Sequence, residues 1–130
     1  MAAQPLAWLE ASRLPEEAFQ IAPLVEGYKS IMGDFHRGTI LPIGEEPSGT
    51  SWTGFQSLVD DTSGFLLVFR EDSPEHCYRM RTWLPEGRRV QLVPLLGDGR
   101  FSRVRVAAGG VIQVELSASN SFALYRYQIR

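Results

Sequence analysis

The sequence has one cysteine, two histidines and no long apolar segment, and each shortage removes a class of protein. Cys77 alone cannot form an internal disulfide or a cysteine-based metal site. No apolar run approaches the roughly 20 residues that a membrane helix needs, and residues 1–10 lack the basic start of a signal peptide. These absences favour a reducing, cytoplasmic location and predict no membrane partner.

Lysine is also scarce, because 12 of the 13 basic residues are arginine. The charge is uneven: residues 1–75 carry −8 and residues 76–130 carry +6, which leaves a net charge of −2. A basic half can indicate a phosphate-binding surface, but many of these arginines alternate with apolar residues in predicted strands. We therefore expect the acidic and basic segments to meet in the fold or against another domain, and we expect no nucleic-acid partner.

An amphipathic helix is predicted from about Glu16 to Phe35. Pro15 precedes two acidic residues, as at a helix start, and Gly38 provides a C-terminal cap. Between them, apolar residues recur every three to four positions: Phe19, Ile21, Leu24, Val25, Tyr28, Ile31, Met32 and Phe35. Pro23 lies inside this pattern and is expected to kink or split the helix, because it lacks a backbone N–H.

After Gly38 the apolar period changes from 3.6 to 2, which indicates strands. Turn-forming residues separate eight short strands, predicted at 39–43, 51–59, 64–71, 76–84, 90–96, 101–106, 111–116 and 122–129. No helix separates them, so parallel βαβ units are excluded. The sequence predicts a mainly β protein: an antiparallel Greek-key β-sandwich of about eight strands preceded by one helix. We divide the single domain into a lead-in (1–15), a helix that packs on the sandwich (16–38) and the sandwich itself (39–130).

The sequence shows no catalytic motif. Neither His36 nor His76 lies in a known nucleophile motif, and the segment 97–99 (GDG) lacks the downstream residues of a phosphate loop. Three acidic pairs occur, at 45–46, 60–61 and 71–72, but neighbouring carboxylates in a turn do not face each other across a cleft as glycoside hydrolysis requires. We predict no catalytic, cofactor-binding or metal-binding residue, and no cofactor.

Exposed aromatic residues are the best candidates for a binding surface. Trp52, Phe55, Tyr78 and Trp83 could form a platform for sugar rings, although in a small sandwich most aromatic residues are expected to pack in the core. Trp83 falls on the same predicted strand face as Arg79 and Arg81, which makes it the best candidate for exposure. The candidate sugar or interface contacts are therefore Trp83, Trp52, Arg79 and Arg81.

Two stretches of the sequence have features more specific than those of β-strands in general. The first is residues 28–38 (YKSIMGDFHRG) followed by 40–43 (ILPI), and the second is residues 51–56 (SWTGFQ) followed by 64–71 (GFLLVFRE). Together they resemble the C-terminal domain of α-galactosidase-like (melibiase-type) glycoside hydrolases. In that clan a helix leaves the catalytic (β/α)8 barrel, ends in a His-x-Gly or similar turn and enters a Greek-key β-sandwich. The resemblance spans residues 16–130.

This resemblance implies a non-catalytic accessory domain that braces the catalytic barrel of the same polypeptide. The family's nucleophile and acid/base are aspartates on barrel strands, so no catalytic residue can be transferred to this chain. An apolar patch is expected on the helix or one sheet face, and Trp8, Leu9 and Leu14 are expected to pack on the barrel. An independent carbohydrate-binding module and a protein-interaction sandwich remain as alternatives, and either the helix or a sheet face could support an oligomer.

Overall fold

The helix is divided where Pro23 predicts. The computed structural model describes residues 15–130, so the lead-in lies outside the described residues except for Pro15. A 3-10 segment, Glu16–Ile21, continues into the α-helix α1, Ala22–Arg37, and together they span 22 residues. Pro23 occupies the first turn of α1, where its missing N–H removes no intrahelical hydrogen bond. Within residues 15–130 no helix is long and apolar enough to cross a membrane.

The eight predicted strands are present, and all their pairings are antiparallel. They are β1 Thr39–Gly44, β2 Trp52–Leu58, β3 Ser63–Arg70, β4 Cys77–Arg81, β5 Arg89–Gly97, β6 Ser102–Arg105, β7 Val111–Glu115 and β8 Ser121–Ile129. A six-stranded sheet has the order β1-β2-β3-β8-β5-β6, and β4 pairs with β7 in a two-stranded sheet. The last strand returns to lie between β3 and β5, which is the long-range connection expected of a Greek-key arrangement.

The main core lies between the two sheets. Leu66 and Val68 of β3 and Leu92 of β5 pack in one cluster with Met80 of β4 and Ile112 of β7. Pro42 lies on β1, which is an edge strand, and an edge strand tolerates proline because one of its sides needs no ladder hydrogen bonds. Strand β3 is flanked by β2 and β8, in agreement with its uninterrupted apolar sequence.

The helix packs on the opposite face of the six-stranded sheet, so the layers are helix, large sheet and small sheet. Phe35 of α1 forms a second apolar cluster with Phe65 of β3 and Leu124 of β8. The Ser57 hydroxyl donates a 2.6 Å hydrogen bond to the carbonyl oxygen of Phe35, which fastens the end of the helix to β2. The position of the helix is therefore fixed at its C-terminal end.

Gly38 ends the helix as predicted, but for a different physical reason. Its φ of −77° and ψ of 165° are extended, not left-handed, so any residue could adopt this backbone conformation. A Cβ at position 38 would instead lie 2.7 Å from the carbonyl oxygen of Leu58, and closer still to the Ser57 hydroxyl. Glycine is required here because the chain passes directly over β2.

Candidate functional site

The structure separates the four predicted contact residues. Arg79 and Arg81 lie on the exposed face of β4, and Trp83 follows that strand with 58% of its surface exposed, as the alternation predicts. Strand β4 is shorter than predicted and ends at Arg81, but the alternation of exposed and buried residues continues to Leu84. Three of the four candidates therefore lie on accessible surface.

Trp52 is the exception, and its assignment as a contact residue is corrected. It is only 1% exposed, and its ring stacks on that of Tyr78 with centroids 5.7 Å apart. Its indole N–H donates to the carbonyl oxygen of Glu75 at 3.2 Å. Trp52 begins β2 on the face that points between the sheets, so it stabilises the core and is not accessible to a ligand.

Two hydrogen bonds hold Trp83 in a fixed position at the surface. Its backbone N–H donates to Oε1 of Gln56 at 2.8 Å, and its indole N–H donates to the carbonyl oxygen of Pro42 at 3.0 Å. Gln56 is fully buried, and its amide nitrogen donates to the Tyr127 hydroxyl at 3.4 Å. The exposed indole is thus held before any ligand arrives, which lowers the entropy lost on binding.

Gln56 is a positioning residue that the sequence analysis missed. It stands in the inward-facing series of β2 that includes Trp52 and Leu58, both of which contact the main core. A glutamine among apolar inward positions must find hydrogen-bond partners, because an unsatisfied buried amide is costly. A polar glutamine at an otherwise apolar inward position of β2 is the sequence feature that could have identified Gln56.

Trp83 stands between two surface depressions. One, of about 500 Å³, is lined by Pro42, Arg81 and the backbone of Gly109 and Gly110. The other, of about 340 Å³, is lined by Gln56, Asp60, Asp61 and Tyr127. An exposed indole can cover the C–H face of a sugar ring, while flanking charged groups reach its hydroxyls.

Glu71, from the third acidic pair, is held by hydrogen bonds to the loop before β2. Glu71 Oε2 accepts hydrogen bonds from the Ser51 hydroxyl at 2.7 Å and from the backbone N–H groups of Ser51, Ser48 and Gly49. These bonds, with the Ser51 hydroxyl contributing most, lower the pKa of Glu71 to about 2. A glycosidase general acid needs a raised pKa, so Glu71 instead serves as a clamp for the loop before β2.

Asp60 holds the turn between β2 and β3 through hydrogen bonds, as Glu71 holds the loop before β2. Its carboxylate accepts hydrogen bonds from the hydroxyl and backbone groups of Ser63 and Thr62. Hydrogen bonding, chiefly from the Ser63 hydroxyl, lowers the pKa of Asp60 to about 2. Across residues 15–130, no three His, Cys, Asp or Glu side chains come together as a metal site would require.

The N-terminal part of the helix exposes the predicted apolar patch. Phe19 is 63% exposed, Ile21 is 48% exposed and Leu24 is 39% exposed. We call these three residues the helix patch. They belong to the same apolar pattern as Tyr28, Ile31 and Phe35, but they precede the part of the helix that the second core cluster covers.

Comparison with protein-family models, curated proteins and solved structures finds no match for this chain. The likeness to α-galactosidase-like enzymes therefore stays a prediction that depends on the two sequence stretches given above.

Proposed function

We propose that this chain is a non-catalytic accessory domain of an α-galactosidase-like glycoside hydrolase, which braces the catalytic (β/α)8 barrel through the helix patch. The observation that carries the proposal is the exposure of Phe19, Ile21 and Leu24 on one short segment. Burying a fully exposed side chain of this size contributes about 1.5–3 kcal/mol, and these three are 39–63% exposed, so a partner that covers them would gain roughly half of that from each.

The positions of the resembling stretches support the same proposal. Residues 28–38 form the part of the helix that is fastened to the large sheet by the Ser57–Phe35 hydrogen bond. A helix fixed at its C-terminal end and apolar at its exposed N-terminal end suits a connecting element that must hold a neighbouring domain at a set angle. The sandwich behind it would supply the rigid base.

The test uses the coding sequence directly upstream of this chain. If it encodes a barrel, adding this chain should raise the barrel's melting temperature by several degrees, and Phe19→Asp/Leu24→Asp should abolish the increase. Trp83→Ala is the matched control, since it also removes an exposed aromatic residue but lies away from the helix. The absence of a barrel from that coding sequence, or an increase in melting temperature that the patch variant keeps, would contradict the proposal.

Carbohydrate binding is a second candidate, favoured by the fixed and exposed indole of Trp83. Isothermal titration with galactosides and glucans should then give a saturable heat that Trp83→Ala abolishes. Phe101→Ala is the control, because Phe101 is similarly exposed but lines neither of the two depressions beside Trp83. No heat with any sugar, or a heat that Trp83→Ala leaves unchanged, would eliminate this candidate.

A further inference from the structure

One side of the large sheet carries an array of arginines that the sequence analysis did not single out. Core residues such as Val90, Leu92 and Tyr127 alternate along β5 and β8 with residues that point to the helix side of the sheet. The arginines at these outward positions of β5, β6 and β8, together with the residue after β8, are Arg89, Arg103, Arg105, Arg126 and Arg130. We call these five residues the arginine face.

The strand register brings these side chains together. Arg89 of β5 lies directly opposite Arg105 of β6, and the backbone N–H of Arg130 donates to the carbonyl oxygen of Arg89. The three arginines therefore form one row across the sheet. In the next row Gln128 and Gln91 lie beside Arg103, and in the third Arg126 lies beside Val93. Like charges placed opposite each other destabilise a sheet, so this row has a cost in the free protein.

Within residues 15–130, none of these five arginines forms an ion pair with a carboxylate. Strands β5, β6 and β8 contain no Asp or Glu, and the one ion pair found in residues 15–130 joins Arg37 to Asp34 on the helix. Instead, Arg130 donates to the Gln91 side chain at 3.0 Å, and Arg126 lies 5.5 Å from the centre of the Phe65 ring. The expected meeting of acidic and basic segments therefore does not take the form of ion pairs within this part of the chain.

We propose that the arginine face binds a carboxylate-rich surface of another protein. The guanidinium group pairs with carboxylates through two parallel hydrogen bonds, which suits a face built from arginine without lysine. Apolar side chains also border the array: Val93 is exposed, and Phe101 is exposed beneath the Arg103 guanidinium at 5.6 Å. Arginine mixed with aromatic and apolar side chains is characteristic of protein–protein interfaces.

A nucleic acid fits these observations less well. The chain is acidic overall, with a net charge of −2, and residues 1–75 carry −8. That acidic half would repel a long polyanion, whereas a protein partner can present its carboxylates to this one face. The proposal does not depend on the glycosidase assignment, because the partner is defined by its carboxylates alone.

The test compares two charge-matched variants of the whole chain. The probe is a fluorescent oligoglutamate peptide, and its binding is measured by anisotropy at low salt and at physiological salt. Arg89→Gln/Arg105→Gln removes the central pair of the arginine face, and Arg79→Gln/Arg81→Gln removes two exposed arginines from β4. We expect the first variant to weaken binding about tenfold and the second to weaken it less than about twofold. Higher salt should weaken binding of the unaltered chain.

Thermal unfolding of the same variants tests whether a loss of peptide binding comes from the altered surface and not from a loss of stability. Arg89→Gln/Arg105→Gln removes a repulsive pair, so its melting temperature should equal or exceed that of the unaltered chain. Equal weakening by both variants, or no peptide binding, would overturn the proposal. Tighter binding of a single-stranded oligonucleotide than of the peptide would replace the proposed partner class. If the chain self-associates and only Arg89→Gln/Arg105→Gln abolishes that self-association, the partner is a second copy of the chain.

Discussion

Two glycines at the end of the helix should respond to alanine in opposite directions. At position 38 the added methyl group meets the Leu58 carbonyl and the Ser57 hydroxyl, and β2 can yield only by moving away from the helix. Such overpacking costs about 1–3 kcal/mol. Loss of the hydrogen bond from Ser57 to the Phe35 carbonyl adds about 1 kcal/mol, and the less flexible unfolded chain returns about 0.4–1 kcal/mol. We expect Gly38→Ala to lower the free energy of unfolding by about 1–3.5 kcal/mol.

Gly33→Ala is the matched control within α1. A Cβ there would contact nothing within 4 Å, and the position is exposed. Alanine is favoured over glycine in a helix interior by about 1 kcal/mol, so this variant should be more stable than the unaltered chain. Urea titrations with a common m value would measure both changes. A free energy of unfolding for Gly38→Ala within about 0.5 kcal/mol of that of the unaltered chain would contradict the proposed overpacking, since that is the range of ordinary surface substitutions.

Two further pairs of substitutions test the acidic clamp and the two tryptophans. Folding lowers the pKa of Glu71 from 4.5 to about 2, so its contribution to stability is present above pH 4.5 and is lost as the pH falls toward 2. Glu71→Gln should flatten that part of the pH–stability curve, and Asp72→Asn should not; identical curves for the two would contradict the clamp. Trp52→Ala should cost about 3–5 kcal/mol by leaving a cavity, whereas Trp83→Ala should cost far less. Similar losses for the two tryptophans in urea titrations would refute their assignment to core and surface.

Local patterns in the sequence predict most of the secondary structure. The apolar spacing predicts the helix, and Pro23 predicts its division. The alternation of exposed and buried residues that continues past β4 predicts the exposure of Trp83. Strand order is harder to predict, because the pairing of β8 with β3 and β5 depends on contacts between residues far apart in the chain. Alternation alone also does not say which face is buried, so Trp52 was proposed as a contact although it faces the core.

The two surfaces differ in how far the sequence could predict them. An apolar patch on the helix or a sheet face follows from the predicted amphipathic helix and the resemblance, and the structure locates it at Phe19, Ile21 and Leu24. The arginine face depends on register, because the alignment of Arg89 with Arg105 brings together residues from separate strands. A one-residue shift in register would turn these side chains to the opposite face of the sheet.

The most direct test of the proposed bracing role is backbone hydrogen exchange of this chain with and without the proposed barrel. We expect the barrel to slow exchange in the helix around Phe19, Ile21 and Leu24, where amides near an exposed helix end otherwise open readily. Exchange around Trp83 should be unaffected. Unchanged exchange across residues 16–25 in a saturated mixture would contradict the claim that the helix patch holds the barrel.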